Sequence, residues 1–299
     1  MTGSAKNSSS MTSNESKRMD IQSARDYTRS LARGHYENFI VGSLLVPRRY
    51  IQHLYNIYAY CRISDDLADE TGDSSKSLEL LRDWREELHK CYGGQPSHPA
   101  MIALQDTIRE FDIPIEPFID LISAFEQDCS VSRYETYNDL LDYCRRSANP
   151  VGRLFLILFG YREDRMFMLS DHICTALQLV NFWQDISEDF NRGRVYIPQE
   201  DLKTYGCTES AIASKTFGNN FRELMKFECD RAQQLFDAGA ELIPMLDGRI
   251  KADVKLFRLG GMAVLDEIRR QDYDVLAKRP KVSKMRQALL FLSCLVYRK

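Results

Sequence analysis

Hydrophobic positions along this chain recur mainly at the three- and four-residue spacing of helices. No convincing run alternates as a strand does, and the best strand candidate, residues 195–197, resembles a loop. Proline and glycine punctuate the pattern, as expected between helices. The pattern predicts helices over residues 20–33, 47–70, 76–91, 98–110, 115–130, 136–145, 150–160, 164–190, 217–245, 248–271 and 281–297.

No linker and no repeat of 20–50 residues divides this helical part of the chain. Residues 1–19 are polar and serine-rich, and they lack the apolar stretch of a secretory signal. We therefore expect a disordered N-terminal tail over residues 1–19. A single all-α domain is expected over residues 20–299.

Composition narrows the class of protein. The 15 Gly and 9 Pro among 299 residues are few for an all-β fold, which needs many turns. The 40 Lys and Arg nearly balance the 43 Asp and Glu, so the sequence predicts no nucleic-acid partner. Eight cysteines without a CxxC pair favour reduced core thiols and a cytoplasmic protein.

The longest apolar run lies near the end of the chain, at residues 288–296. It is about half as long as a helix that spans a bilayer. A packed terminal helix is the simpler interpretation. The alternative is a peripheral protein that makes shallow, transient contact with the inner face of the membrane.

Carboxylates follow an apolar stripe on the second predicted helix. Asp65 and Asp69 are four residues apart and share one face. Earlier turns of that face carry only uncharged residues: Leu54, Ile57, Tyr58 and Cys61.

The helix predicted over 164–190 repeats this arrangement. Asp185 and Asp189 are again four residues apart, and Asn181 lies one turn earlier on the same face. Leu177 and Cys174 continue the face towards the start of the helix.

A solvated acidic helix face is the simplest explanation for either pair. However, both pairs lie in mostly apolar segments, where unpaired carboxylates are costly, and like charges at this spacing destabilise a helix. A hard divalent cation with oxygen ligands compensates them best, and Mg²⁺ typically binds one or two carboxylates together with phosphate oxygens. The two pairs therefore predict a Mg²⁺–diphosphate site.

Two arginines support this prediction. Arg62 precedes Asp65 by three residues, and Arg194 follows the second pair in a glycine-containing loop. Guanidinium groups suit bidentate contacts with phosphate. For Arg62, a structural ion pair with Asp66 or Asp69 is an equally good interpretation.

Four segments resemble, in order, motifs of the squalene/phytoene synthase family over about residues 25–299. YAYCRISDDLAD resembles its first aspartate-rich motif, and QLVNFWQDISEDFNRGRVYIPQEDL resembles the second motif with the flap that follows. YCRRSANPVG at 143–152 resembles a middle segment, and HYENF at 35–39 resembles an N-terminal element.

The resemblance implies an all-α bundle around one deep apolar cavity and suggests a role for each motif residue. Asp65, Asp69, Asp185 and Asp189 are then the catalytic Mg²⁺ ligands. Tyr143, a further catalytic candidate, approaches the diphosphate, as does Arg62. The other substrate-binding candidates are Asn181, Arg194, His35, Phe39, Ser147 and Asn149.

The sequence departs from typical members at three places. Gln184 replaces the Arg before the second motif, Tyr36 and Asn38 replace Ser in the N-terminal element, and residues 147–149 replace Val-Ala-Gly. HYENF and YCRRSANPVGRL most resemble the bacterial hopanoid branch, which includes hydroxysqualene synthases.

The expected substrate is an isoprenoid diphosphate. In the leading hypothesis, presqualene diphosphate ionises and water captures the cation, with Ser147 and Asn149 holding that water. Capping of the backbone near Pro150 by these two side chains is the simpler alternative. The runner-up activity condenses two farnesyl diphosphates into squalene or presqualene diphosphate. A non-catalytic all-α partner protein is a third hypothesis, which the two intact aspartate motifs disfavour. The oligomeric state stays open.

Overall fold

The computed structural model describes residues 20–34 and 46–296, and within these ranges helices are joined by short loops. The helices, numbered in chain order, are α1 Ile21–Gly34, α2 Arg48–Asp69, α3 Ser74–Tyr92, α4 Pro99–Phe111, α5 Glu116–Asp128, α6 Tyr137–Ser147, α7 Asn149–Leu158, α8 Asp164–Asn191, α9 Gln199–Thr204, α10 Glu209–Ala213, α11 Asn219–Gly239, α12 Leu242–Met245, α13 Gly248–Arg270 and α14 Lys284–Val296.

The all-α prediction is confirmed, and most helix bounds lie within a few residues of the predicted ones. The prediction of one helix over 217–245 is wrong, because α11 ends at Gly239 and the four-residue α12 follows. The short helices α9 and α10 were not predicted. The tail over residues 1–19 lies outside the described residues, and the single domain stays a prediction.

The longest helix, α8, lies at the centre of the fold. It packs against α11, α7, α13 and α6. Trp183 of α8 is fully buried in one apolar core, and Tyr60 of α2 and Phe118 of α5 are buried in a second. The two helices that carry the aspartate pairs are therefore fixed by separate apolar cores.

Close packing between α8 and α11 depends on a glycine. A Cβ atom at Gly239 would lie 2.5 Å from Cγ1 of Ile173 and 3.0 Å from the carbonyl oxygen of Leu169. Real side chains do not approach so closely, so only glycine lets α11 lie this near to α8.

Local hydrogen bonds set the start of α6, the helix of Tyr143. The Thr136 hydroxyl accepts from the backbone N–H of Asp139 at 3.2 Å, and the Asp139 carboxylate accepts from the N–H of Thr136 at 2.9 Å. This reciprocal capping box satisfies two N–H groups that the helix itself leaves unpaired.

Two further predictions concern cysteines and membranes. All eight cysteines are free, and four of them, Cys91, Cys144, Cys229 and Cys294, are buried. Among the described helices, none combines the length and apolar character needed to span a bilayer.

Candidate active site

A deep apolar cavity of about 410 Å³ lies between α2, α7, α8 and α13. The apolar stripes that precede the two aspartate pairs both face it. It is lined by Leu54, Ile57, Tyr58 and Cys61 of α2, by Ser170, Ile173, Cys174 and Leu177 of α8, and by residues of the neighbouring helices that include Gly152, Phe155, Val254 and Phe257. The cavity walls therefore continue along α2 and α8 towards the carboxylates.

The first aspartate pair lies on the last turns of α2 beside an arginine. Arg62 donates to Asp65 at 3.3 Å and forms an ion pair with Asp66. Burial, followed by the nearby charge of Asp69, raises the pKa of Asp65 above its usual value. Arg62 thus neutralises part of a strongly acidic helix end.

The second pair, near the end of α8, has its own arginine. Arg279 pairs with Asp185 through both Nε and Nη2, and the Nη2–Oδ2 distance is 3.0 Å. Burial and the charge of Asp185 raise the pKa of Asp189 to about 6.

Gln184 helps to hold Arg279 in this position. The buried Gln184 side chain donates to the carbonyl oxygen of Pro280 at 2.5 Å and accepts from Arg279 at 3.4 Å. The glutamine at this departure from the family pattern therefore holds an arginine from a distant segment beside Asp185.

Arg194 connects the two acidic regions. It lies just beyond α8, and its Nη2 donates to Asp69 of α2 at 2.6 Å. Its positive charge also opposes part of the rise in the pKa of Asp65 and of Asp189 that burial causes. The structure thus brings the two aspartate pairs, about 120 residues apart in sequence, to one electrostatic site.

Residues 192–200, the flap after α8, are fixed to residues 131–136 by main-chain and side-chain hydrogen bonds. The N–H of Val195 donates to the carbonyl oxygen of Ser132 at 2.9 Å. Arg133 donates to the carbonyl oxygen of Gly193 at 2.5 Å and forms a bidentate pair with Glu209 at 2.7 and 2.8 Å. Arg133 therefore holds the backbone next to Arg194.

Tyr143 lies in a buried aromatic cluster beside this flap. Its hydroxyl donates to Asp128 at 2.9 Å, and its ring packs against Tyr134 and Tyr196. Burial raises the pKa of Asp128 to about 7. The Tyr143 hydroxyl is thus oriented by a carboxyl group within a largely apolar pocket.

Ser147 and Asn149 lie at the junction of α6 and α7. Asn149 is buried and accepts a hydrogen bond from Thr175 of α8 at 2.9 Å. The buried Ser147 hydroxyl oxygen has no hydrogen-bond partner in residues 20–34 and 46–296. No side chain caps the start of α7, so backbone capping does not account for either residue.

Of the remaining candidates, only Asn181 lies within the described residues. Asn181 is exposed on α8, one turn before Asp185. His35 and Phe39, like Tyr36 and Asn38, lie outside the described residues.

The carboxylates fit a divalent cation by their chemistry. Asp65, Asp69, Asp185 and Asp189 offer the hard oxygen donors that Mg²⁺ prefers. Burial disfavours the charged forms of Asp65 and Asp189, so a cation bound there would relieve an unfavourable charge.

A second cluster of potential metal ligands lies away from the aspartate pairs. The ligand atoms of His53, Asp106 and Glu110 are within 4.8 Å of one another. His53 precedes Asp65 by twelve residues on α2, which is about 18 Å along the helix. Asp106 pairs with Arg25 at 2.6 Å, and His53 hydrogen-bonds Thr107 at 3.1 Å, so local contacts account for these residues.

The family model of squalene/phytoene synthases matches residues 32–286. The chain belongs to the squalene/phytoene synthase family. Members of this family are enzymes of head-to-head isoprenoid condensation that bind isoprenoid diphosphates with divalent metal.

Individual squalene/phytoene synthase family members show the extent of this similarity. A phytoene synthase of Arthrospira platensis is 33% identical over 267 residues, which cover 85% of this chain and 86% of the relative. The crystal structure of squalene synthase HpnC from Alicyclobacillus acidocaldarius is 44% identical with a TM-score of 0.81, covering 85% of this chain and 95% of that one. A ligand-bound dehydrosqualene synthase structure is 25% identical with a TM-score of 0.83, covering 93% and 97%.

Three charged residues at the site were missed by the sequence analysis: Asp128, Arg133 and Arg279. Arg279 lies in a short basic stretch, KRPK, which was a detectable signal. Asp128 and Arg133 flank a loop without any repeated spacing, so only the fold reveals that they meet the flap and Tyr143.

Proposed function

We propose that this enzyme ionises presqualene diphosphate and captures the resulting cation with water to give hydroxysqualene. The observation that carries the proposal is that the two apolar stripes ending in aspartate pairs line one cavity. The hydrocarbon chain of an isoprenoid can pack against the apolar wall of the cavity, while its diphosphate can bind at the end that carries the aspartates and arginines. The similarity to squalene synthase HpnC supports a C30 substrate rather than a C40 one.

Mg²⁺ held by Asp65, Asp69, Asp185 and Asp189 would neutralise the diphosphate and stabilise it as a leaving group. The chain itself supplies cationic hydrogen-bond donors at the same place. Arg62, Arg194 and Arg279 already pair with Asp65, Asp69 and Asp185, and their guanidinium groups would bind a diphosphate held at these carboxylates.

The cavity protects the cation that forms when the C–O bond breaks. Its walls are almost wholly apolar, so water cannot reach the cation from most directions. Tyr58 and Phe155 line it, and their aromatic faces are suited to stabilise positive charge.

Water capture needs a polar group that holds one water molecule. The unpartnered Ser147 hydroxyl and the amide of Asn149 are our candidates, since a buried water needs about two to four polar partners. The water oxygen forms the new C–O bond, diphosphate leaves, and one proton is released.

The alternative activity is the condensation of two isoprenoid diphosphates. The similarity to a phytoene synthase and to a dehydrosqualene synthase favours this candidate, with farnesyl or geranylgeranyl diphosphate as substrate. Squalene or presqualene diphosphate would then be the product from farnesyl diphosphate.

The test incubates the purified enzyme with Mg²⁺ in ¹⁸O-water without NADPH, and analyses the lipids by mass spectrometry. Presqualene diphosphate, farnesyl diphosphate and geranylgeranyl diphosphate are supplied in separate reactions. Labelled hydroxysqualene from the first substrate supports the proposal. Condensation products from the other two, with no alcohol from the first, would establish the alternative.

Variants then test where the water is held. Ser147→Val should reduce the alcohol share and increase elimination or rearranged products. Thr175→Val removes the hydrogen bond to Asn149 and should shift the products in the same direction if that amide positions the water. An unchanged labelled alcohol at an unchanged rate in both variants would reject these residues but not the reaction.

A further inference from the structure

The last helix, α14, has an uncovered apolar face. Met285, Leu289 and Leu292 are 75%, 59% and 55% exposed. They follow the i, i+4, i+7 spacing of one helix face, so their side chains form a continuous ridge. We call this ridge the α14 apolar face.

The opposite side of α14 is packed. Leu290, Phe291 and Cys294 form a small apolar cluster with Ala252 and Leu256 of α13. The helix is therefore held in place by one apolar side while the other faces outward. In the described part of the chain, nothing covers those three exposed side chains.

The charge around this helix differs from that of the whole chain. Residues 278–299 contain seven Lys or Arg and no Asp or Glu, although the chain has a net charge of −3. Lys281 and Lys284 are exposed, and within residues 20–34 and 46–296 neither forms an ion pair. A basic segment around an exposed apolar helix face is typical of helices that lie on anionic membranes.

The position of α14 relates it to the cavity. Ala252 and Leu256, which pack against α14, belong to the same helix as Val254 and Phe257, which line the cavity. A surface bound at α14 would therefore lie one helix away from the cavity wall.

We propose that the α14 apolar face docks onto an anionic phospholipid bilayer, with Lys281 and Lys284 contacting the lipid headgroups. The α14 contacts and charges support this surface whatever the isoprenoid substrate is. A second copy of the chain fits less well, because a two-fold symmetric contact would place this basic segment, which has no acidic residue, against an identical basic segment.

Vesicle flotation tests the proposal with the full-length protein. Wild type should float with vesicles of phosphatidylcholine and phosphatidylglycerol in equal parts, and should bind at least about tenfold more weakly to pure phosphatidylcholine. Added salt should weaken binding because it screens the headgroup charge. Failure to float with the anionic vesicles would overturn the proposal.

Two sets of variants separate the apolar and charged parts. Met285→Asp with Leu289→Asp should abolish flotation, whereas Met168→Asp, at an exposed methionine of α8, should not. Lys281→Gln and Lys284→Gln should each weaken binding roughly fivefold. Unchanged flotation of the double aspartate variant would assign binding to another surface.

Two controls address the alternatives. Circular dichroism should show native helix content for the double aspartate variant, since both positions are exposed. Turnover of detergent-dispersed substrate should also stay at the wild-type level, which distinguishes lost docking from lost catalysis. If wild type is dimeric by light scattering and the double variant is monomeric, a second copy covers this face and the lipid proposal is wrong.

Discussion

Arg194 donates a hydrogen bond to Asp69 across 2.6 Å, although the two residues are 125 positions apart in sequence. The contact joins the loop after α8 to the last turn of α2. It places a positive charge where the two aspartate pairs approach each other. The predicted flap arginine therefore already contacts the opposite aspartate helix.

Arg194→Ala should weaken diphosphate handling much more than stability. The substitution removes a charge-assisted hydrogen bond worth about 2–3 kcal/mol in the transition state. We expect kcat/KM to fall roughly 30- to 150-fold, with little change in Tm. An unchanged kcat/KM would show that Arg194 is only a loop residue.

Arg133→Lys tests whether the flap must be held in place. Lysine keeps the charge but cannot bond Glu209 and the Gly193 carbonyl in the same forked geometry. We expect kcat/KM to fall about tenfold. Arg85→Lys is the matched control, since Arg85 forms a similar bidentate pair with Glu126, at 3.2 and 2.6 Å, between α3 and α5. Equal losses in both variants would indicate a general effect of breaking such pairs.

Asp69→Asn and Asp185→Asn should each lower turnover at least about 100-fold while the protein stays folded, because metal stabilisation of the leaving group contributes several kcal/mol. EDTA should abolish turnover, and Mg²⁺ should restore it. Calorimetry should show weaker Mg²⁺ binding in the presence of inorganic diphosphate. Asp164→Asn, at an exposed carboxylate in the first turn of the same helix as Asp185, is the control and should retain most activity. Full activity in EDTA would remove the metal from the mechanism.

Asp253 should make stability depend on pH. It is fully buried on α13, and neither carboxylate oxygen has a hydrogen-bond partner in the described residues. Burial raises its pKa to about 8, so the folded state favours the protonated form. The contribution of Asp253 to the free energy of unfolding is fully present below its unfolded-state pKa near 4. It is lost as the pH rises to the folded-state pKa of about 8.

The corresponding measurement is chemical unfolding of wild type and Asp253→Asn at pH 6 and pH 9. The wild type should lose free energy of unfolding on the alkaline side, by at most about 1.4 kcal/mol per pH unit. The asparagine variant should lose less over that interval. Parallel pH profiles would show that Asp253 is not the responsible group.

Gly152→Ala should destabilise the cavity wall. An added Cβ atom would lie 2.4 Å from the Ser170 hydroxyl oxygen and 2.5 Å from the Cys174 sulfur, so these side chains or α7 itself must shift. We expect a loss of about 1–3 kcal/mol by urea unfolding. Gly260→Ala, in α13 with open space around the new atom, should be neutral or stabilising by about 0.5–1 kcal/mol. Similar effects at both positions would contradict the proposed crowding.

Periodicity was sufficient to predict the apolar stripes that line the cavity, whereas the cavity itself was implied by the family resemblance. Leu54, Tyr58 and Cys61 share a face with Asp65 in any straight helix, and the structure places all three apolar-stripe residues on the cavity. The helical class followed from the same spacing. What periodicity cannot encode is which separate helices meet.

Arg279 illustrates that limit. It approaches Asp185 only because residues 271–283 return along α8. Two hydrogen bonds hold this segment there: the Ser187 hydroxyl donates to the carbonyl oxygen of Leu276, and the Gln184 side chain donates to that of Pro280. Neither contact has a sequence spacing that would predict it. The break after Gly239 was missed for a similar reason, because the residues around it are compatible with a continuous helix.

The arginine–aspartate pairs allow metal and diphosphate to bind by exchange of ionic partners. In the protein alone, Asp69 and Asp185 each have an arginine as counter-ion. A metal ion that takes over a carboxylate releases its guanidinium group, and an arriving diphosphate supplies a new anion for that group. Net charge at the site then changes little between the free and loaded states. Metal and diphosphate should consequently bind cooperatively, with each weak when alone, and the departing diphosphate should return the arginines to their aspartates.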